Sequence, residues 1–100
     1  HGKEWMYEGG VRVPLIIFDP RRNDEKARVS KYPTIGTDLY PTLLELAGLP
    51  PQPDAHLDGR SIVAGMDELS NVRFPQEPFF WELNTQEKLP KHSMMKGRWK

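Results

Sequence analysis

The chain has 100 residues, with 14 basic and 14 acidic side chains, three histidines and no cysteine, a length that suits one small domain or a piece of a larger one. A formal charge of zero gives no electrostatic reason to expect nucleic acid or an anionic membrane as partner, and no apolar run approaches the ~18–20 residues of a membrane span. The absence of cysteine excludes disulfides, thiolate metal sites and cysteine nucleophiles within these residues, and leaves the redox compartment open.

Ten prolines and eight glycines punctuate the sequence densely, so regular elements must be short. Val11-Arg12-Val13-Pro14-Leu15-Ile16-Ile17-Phe18 carries the strongest hydrophobic signal. It begins as an alternation and becomes an unbroken, β-branched run between Gly9-Gly10 and Asp19-Pro20. Such a run predicts a strand covered on both faces, starting at or after Pro14 because proline cannot donate to a ladder. Arg21 to Arg28 mixes charges without an apolar period and reads as a surface loop.

Tyr40 to Leu49 predicts a helix, with Leu39, Leu43 and Leu46 at i, i+4 and i+7 as its core-facing stripe. Thr37 is the expected N-cap, Asp38 favours the positive end of the helix dipole, and Pro41 is tolerated in the first turn. Gly48 supplies the C-terminal stop, and Pro50, Pro51 and Pro53 forbid continuation. A proline-rich connection then ends at Asp58-Gly59. Ser61 to Leu69 predicts a short helix that Gly65 weakens, and residues 71–78 read as loop. Phe79 to Leu83 and His92 to Met95 predict strands, Lys96-Gly97 a turn, and Arg98-Trp99-Lys100 the start of another strand. One buried strand and one amphipathic helix need more sheet than these residues supply. With a start at His1 that lacks an initiator Met, the sequence reads as an excerpt. As an isolated chain it is expected to expose Val11–Phe18 and part of the Leu39–Leu46 stripe, and so to self-associate.

Chemistry-bearing residues are densest at the start, His1-Gly2-Lys3-Glu4-Trp5-Met6-Tyr7-Glu8-Gly9-Gly10-Val11-Arg12. A lysine beside a glycine, ahead of a buried strand, offers a compact charge and three donors to an oxyanion. On spacing alone, an exposed lysine at a chain end is the simpler reading. Gly9-Gly10 supplies a sharp turn, and Glu8 with Arg12, four residues on, makes an ion pair that fixes it.

Taken in series, Gly2-Lys3, then Tyr7-Glu8-Gly9-Gly10-Val11-Arg12-Val13-Pro14, then Thr37-Asp38-Leu39-Tyr40-Pro41-Thr42-Leu43-Leu44-Glu45-Leu46-Ala47-Gly48, then Leu57-Asp58-Gly59-Arg60-Ser61, resemble the later part of the sulfatase family. Phe80-Trp81-Glu82 and Lys96-Gly97-Arg98-Trp99-Lys100 look like strands of that family's C-terminal subdomain. The resemblance implies an α/β fold: the C-terminal part of an alkaline-phosphatase-like α/β/α sandwich followed by a small antiparallel sheet. Residues 1–70 would end the core and residues 71–100 would begin the subdomain.

The resemblance also implies hydrolysis of sulfate esters by a formylglycine nucleophile beside a divalent cation, usually calcium, in a periplasmic or secreted protein. Lys3 is the position that matches the family's sulfate-binding lysine, and a small sulfated carbohydrate or aryl ester is the implied partner. The Cys/Ser-x-Pro-x-Arg nucleophile motif and the acidic metal ligands are absent from these residues, so they supply no metal site and are expected to be inactive alone. Two alternatives remain at this point: a phosphate mono- or diester hydrolase of the same superfamily, and a non-catalytic scaffold or interaction module.

His1 and His92 are candidates for the substrate rim, and His56, in the proline-rich loop, is expected to be solvent-exposed. The three lack the short-range pairing of zinc ligands. Trp81 and Trp99 are expected to fill core, and the role of Trp5 is left open between packing and stacking on a sugar.

Overall fold

The computed structural model describes residues 5–21, 27–67, 77–84 and 90–100. They fall into two compact units, His1–Ala27 with Glu77–Lys100, and Arg28–Gln76. Their short helices and one two-stranded antiparallel sheet are a content compatible with the α/β class.

In the first unit, Glu8–Val11 makes a single helical turn, α1. The Tyr7 carbonyl accepts from the Gly10 and Val11 amides at 2.8 and 3.1 Å, and the Arg12 amide closes on the Glu8 carbonyl at 2.9 Å. The apolar run that follows departs from the sequence expectation. Residues 12–19 form no strand; Ile16 and Phe18 are 91% and 87% exposed. The reason is pairing: a ladder needs neighbours, and the two strands among the described residues pair with each other. The exposure itself is what the unpartnered run was expected to show.

The hairpin closes this unit. Strand β1, Phe79–Leu83, and strand β2, Lys91–Met95, are antiparallel, with Phe79 opposite Met95, Trp81 opposite Ser93 and Leu83 opposite Lys91. Strict alternation covers Phe79, Trp81, Leu83, Lys91, Ser93 and Met95, and turns Phe80, Glu82, His92 and Met94 outward, as the two-residue period of a strand requires. Phe79 is buried, with its ring edge-on to Trp81 at 5.9 Å. Beyond β2 the chain reverses at Gly97, whose φ of 58° suits glycine. Lys96 and Trp99 then exchange two backbone hydrogen bonds at 2.8 and 3.1 Å. Contrary to the sequence expectation, Trp99 does not fill core. It is 75% exposed with the Arg98 guanidinium 5.6 Å from its ring centre, because it sits at the outer end of a two-residue turn.

The second unit is organised around a 3-10 turn, Gly36–Asp38, that runs into helix α2, Leu39–Leu46. The helix starts one residue before, and ends three residues before, the span that the sequence predicts. Its end is a Schellman motif: the Gly48 amide bonds the Glu45 carbonyl at 3.0 Å and the Leu49 amide bonds the Leu44 carbonyl at 2.9 Å. Gly48 takes the φ of 68° that this geometry demands. The covered face is not the leucine stripe. Pro41 and Thr42 are buried, whereas Leu39 and Leu43 are exposed, because the segment that packs within this unit approaches from the Pro41–Thr42 side. That segment leads into helix α3, Val63–Asp67, which packs on α2 and begins just after the buried Ile62. Leu69, the expected end of this helix, lies outside the described residues.

Candidate functional site

Lys3 and His1, the residues that the sequence places nearest to sulfate chemistry, lie outside the described residues. What the structure describes is the segment that follows them. Trp5 stacks on Tyr7 with ring centres 6.2 Å apart and an interplanar angle of 26°. The Lys91 ammonium, from the covered face of β2, lies 4.3 Å from the centre of the Trp5 ring, well inside the ~6 Å range of a cation–π contact. Glu8 stands between two cations, with Arg12 Nη1 3.4 Å from Oε2 and Lys100 Nζ 3.6 Å from Oε1. The Arg12 pair is solvent-exposed, so its value is orientation more than stability. Two separate contacts thus join the N-terminal segment to the hairpin end of the chain.

His92 lies opposite Glu82 on the outward face of the hairpin, with Nδ1 3.8 Å from Oε2 and both side chains more than half exposed. Phe80, Glu82, His92 and Met94 border an open depression on this face. Such a surface can contact a substrate or partner, and Glu82 and His92 are the titratable side chains among the described residues that border it. His56 differs from expectation. It is half-buried, not solvent-exposed; its Nε2 accepts from the Gln52 amide at 3.2 Å, and its ring lies 6.2 Å from Tyr40. It therefore closes the proline-rich loop and is structural.

Two of the motifs that carry the resemblance, Thr37–Gly48 and Leu57–Ser61, are bonded to each other. Thr37 does not cap α2, which makes no side-chain capping bond at its N-cap Asp38; the Asp38 carboxylate, fully buried, serves the preceding 3-10 turn instead. Its Oδ2 accepts from the Ile35 amide and its Oδ1 from the Arg60 amide, each at 2.9 Å. Thr42 extends the seam: its hydroxyl donates to the Asp38 carbonyl at 2.5 Å and accepts from the Ile62 amide at 3.1 Å. Gly59 is buried against the same turn, where a β-carbon would come within 2.0 Å of the Thr37 carbonyl oxygen. Leu57-Asp58-Gly59-Arg60-Ser61 is thus a strap laid across the start of α2.

Another local pair is electrostatic. Asp19 chelates Arg21 through two side-chain contacts of 2.9 Å, and this hydrogen bonding, together with the Asp19 charge, raises the Arg21 pKa above its ordinary value. Among the described residues, no three His, Cys, Asp or Glu side chains come together as a metal-ion site. No helix among them is long and apolar enough to cross a membrane.

The C-terminal family model of N-sulphoglucosamine sulphohydrolase matches residues 1–100. The chain belongs to the sulfatase family, as a C-terminal portion. It is 40% identical over 81 residues to a sulfatase of Formosa agariphila, an alignment that covers 79% of this chain and 15% of that protein. It is 39% identical over 62 residues to human steryl-sulfatase, covering 62% of this chain and 10% of that enzyme. Dog N-acetylgalactosamine-6-sulfatase is 40% identical over 65 residues, with 65% and 12% covered. No solved structure matches with comparable significance. The chain therefore spans about a tenth to a seventh of the length of these sulfatases.

Two residues, one in each unit, escape a reading of the sequence. Lys91 is not singled out there, although its two-residue offset from Ser93 puts it on the inward face of β2. Asp38 stands there only as a dipole-compensating charge. Its partner amide at Arg60 lies 22 residues away, and no local pattern marks such a bond.

Proposed function

We propose that this chain is the C-terminal part of a sulfate-ester hydrolase in which Lys3 grips the sulfate group of a small carbohydrate or aryl ester. The observation that carries the reading is the match of residues 1–100 to the sulfatase C-terminal family model. Gly2-Lys3 followed five residues later by Glu8-Gly9-Gly10 supports the assignment of Lys3.

In this reading the formylglycine nucleophile and the ligands of a divalent cation, calcium by resemblance, come from residues outside this sequence. The cation would stabilise charge on the nucleophile and the sulfate. The contribution of this chain is a fixed ammonium beside the sulfuryl oxygens. As the ester bond breaks, charge moves onto the nonbridging and leaving oxygens, and a preorganised cation stabilises that redistribution more than it stabilises the ground state. The surrounding α/β/α sandwich would supply the neighbours that Val11–Phe18 and the Leu39–Leu43 face lack here. A periplasmic or secreted location accords with the same reading.

The test is 4-nitrophenyl sulfate hydrolysis by the longer protein that carries this sequence, with Lys3→Ala beside the unmodified enzyme. Turnover is expected to fall ~10²–10³-fold, the usual cost of one such donor. Lys3→Arg is expected not to restore it, because a planar fork does not replace a point charge. An unmodified protein that cleaves 4-nitrophenyl phosphate and leaves the sulfate ester intact would move the activity to phosphate esters.

A further inference from the structure

We propose that the Asp19–Pro20 peptide bond is a latent self-cleavage site, kept closed by the clamp of Arg21 on the Asp19 carboxylate. The inference stands apart from the sulfate-ester reading, because its parts are consecutive residues and its product is a cut chain.

The chemistry begins with the sequence. Pro20 gives its peptide bond a tertiary nitrogen without N–H, and such a nitrogen, once protonated, leaves more readily than that of an ordinary amide. Asp19 carries a carboxylate on the acyl side of the same bond, a group able to act as an intramolecular nucleophile. Attack of one side-chain oxygen on the Asp19 main-chain carbonyl carbon forms a C–O bond and closes a cyclic anhydride. A proton from solvent passes to the Pro20 nitrogen, which takes the electron pair as the C–N bond breaks. The anhydride then adds one water and opens, so that one chain ends in Asp19 and the other begins with Pro20. The net reaction is hydrolysis, with water as its other reactant.

The structure opposes the first step. Asp19 Oδ1 accepts from the Arg21 amide at 3.0 Å and from Arg21 Nε at 2.9 Å, and Oδ2 accepts from Nη2 at 2.9 Å. Both oxygens are thus drawn forward along the chain, past Pro20, and their lone pairs are engaged by charge-assisted bonds. The Asp19 side chain is 9% exposed, whereas Phe18, Pro20 and Arg21 are exposed. Protons and water therefore reach the joint, and what restrains the reaction is the aim of the nucleophile. Intramolecular attack depends steeply on that aim. A bidentate arginine fork suits the restraint, because it fixes the plane of the carboxylate as well as its charge.

The test uses the longer protein that carries this sequence, held at about pH 4, near the ordinary range of aspartate titration, with intact-mass spectrometry as readout. Under folded conditions Arg21→Ala is expected to be cut between Asp19 and Pro20 at least ~10-fold faster than the unmodified protein. Arg21→Lys, which keeps the charge without the fork, should fall between the two. In concentrated urea the clamp is lost, so the unmodified protein should be cut as fast as Arg21→Ala; this comparison serves if the variant does not fold. Pro20→Ala in the Arg21→Ala background should abolish the cut. Equal rates for the folded unmodified protein and Arg21→Ala would overturn the inference. So would an unmodified protein cut no faster in urea than when folded, or a cut that survives Pro20→Ala.

Discussion

The Asp38 carboxylate and the Arg60 amide, 22 residues apart, are joined by a hydrogen bond of 2.9 Å at a site where Asp38 has no exposed surface. The other carboxylate oxygen takes the Ile35 amide. One side chain thus pins the entry to α2 and the strap that crosses it. Both bonds are charge-assisted, the stronger class. Asp38→Ala leaves two amides without this acceptor and is expected to cost about 3 kcal/mol or more. Asp38→Asn keeps one acceptor oxygen and should lose less. Urea unfolding of the longer protein, with amide exchange at Ile35 and Arg60, checks this; an Asp38→Ala protein within about 0.5 kcal/mol of the unmodified one would remove Asp38 from this role.

Gly59 and Gly36 are neighbours in this seam with opposite tolerances. A β-carbon at Gly59 would stand 2.0 Å from the Thr37 carbonyl oxygen and 2.7 Å from its carbon. Those are backbone atoms, so relief requires the strap to lift from α2. At Gly36 a β-carbon meets nothing within 4 Å. Gly59→Ala should therefore destabilise by about 3 kcal/mol or more, beyond common overpacking losses. Gly36→Ala should be neutral or stabilise by up to ~1 kcal/mol, because it narrows the unfolded ensemble. Thermal unfolding of the two variants side by side gives the answer, and equal losses would refute the close-approach account.

What the sequence makes legible is local. Phe79 to Leu83 is readable to the residue, because its aromatic content and a preceding proline are local signals. The end of α2 is readable at Gly48 for the same reason: a positive φ and two short-range hydrogen bonds decide it. The sulfatase resemblance is also readable, because the motifs behind it are compact. The errors lie where partners are distant or missing. Val11–Phe18 has the composition of a covered strand but no ladder partner among the described residues. His56 has the sequence context of a surface histidine, and only the fold brings its ring nitrogen to the Gln52 amide. The leucine stripe of α2 is correct as a period and misleading as a contact map, since the strap reaches the helix on its Pro41–Thr42 side.

Tyr32 and Gly65 make a second close approach. The Tyr32 ring lies over the buried Gly65, so that an added β-carbon would come within 2.7–2.8 Å of three ring atoms. Beside it the Ser30 hydroxyl reaches the Gly65 carbonyl at 3.4 Å and accepts from the Tyr32 amide at 3.1 Å. By propensity Gly65 is a weakness in α3; here it makes room for the ring. Unlike Gly59, the clash is with a side chain that can be removed. Gly65→Ala is expected to cost about 1–3 kcal/mol alone and clearly less in a Tyr32→Ala background. A double-variant cycle of unfolding free energies measures the coupling, and strict additivity would show that the ring is not what excludes the methyl group.

The exposed run from Val13 to Phe18 predicts the behaviour of residues 1–100 expressed alone. Val13, Ile16 and Phe18 are each more than two-thirds exposed, and Leu43 on α2 is 63% exposed. Exposed apolar surface on this scale is uncommon on isolated soluble domains and drives association. A β-branched run without a ladder partner among the described residues offers its backbone as a template for strand exchange. Sedimentation velocity at rising concentration should therefore show oligomers for the isolated chain. Ile16→Lys/Phe18→Lys should shift it toward monomer without disturbing the β1–β2 hairpin, because neither residue belongs to that ladder. Lysine is the substitution of choice, since a charge on an exposed edge opposes pairing while its stem remains compatible with an extended chain. An unmodified chain that stays monomeric and unfolds cooperatively would show that these residues need no further sheet to cover them.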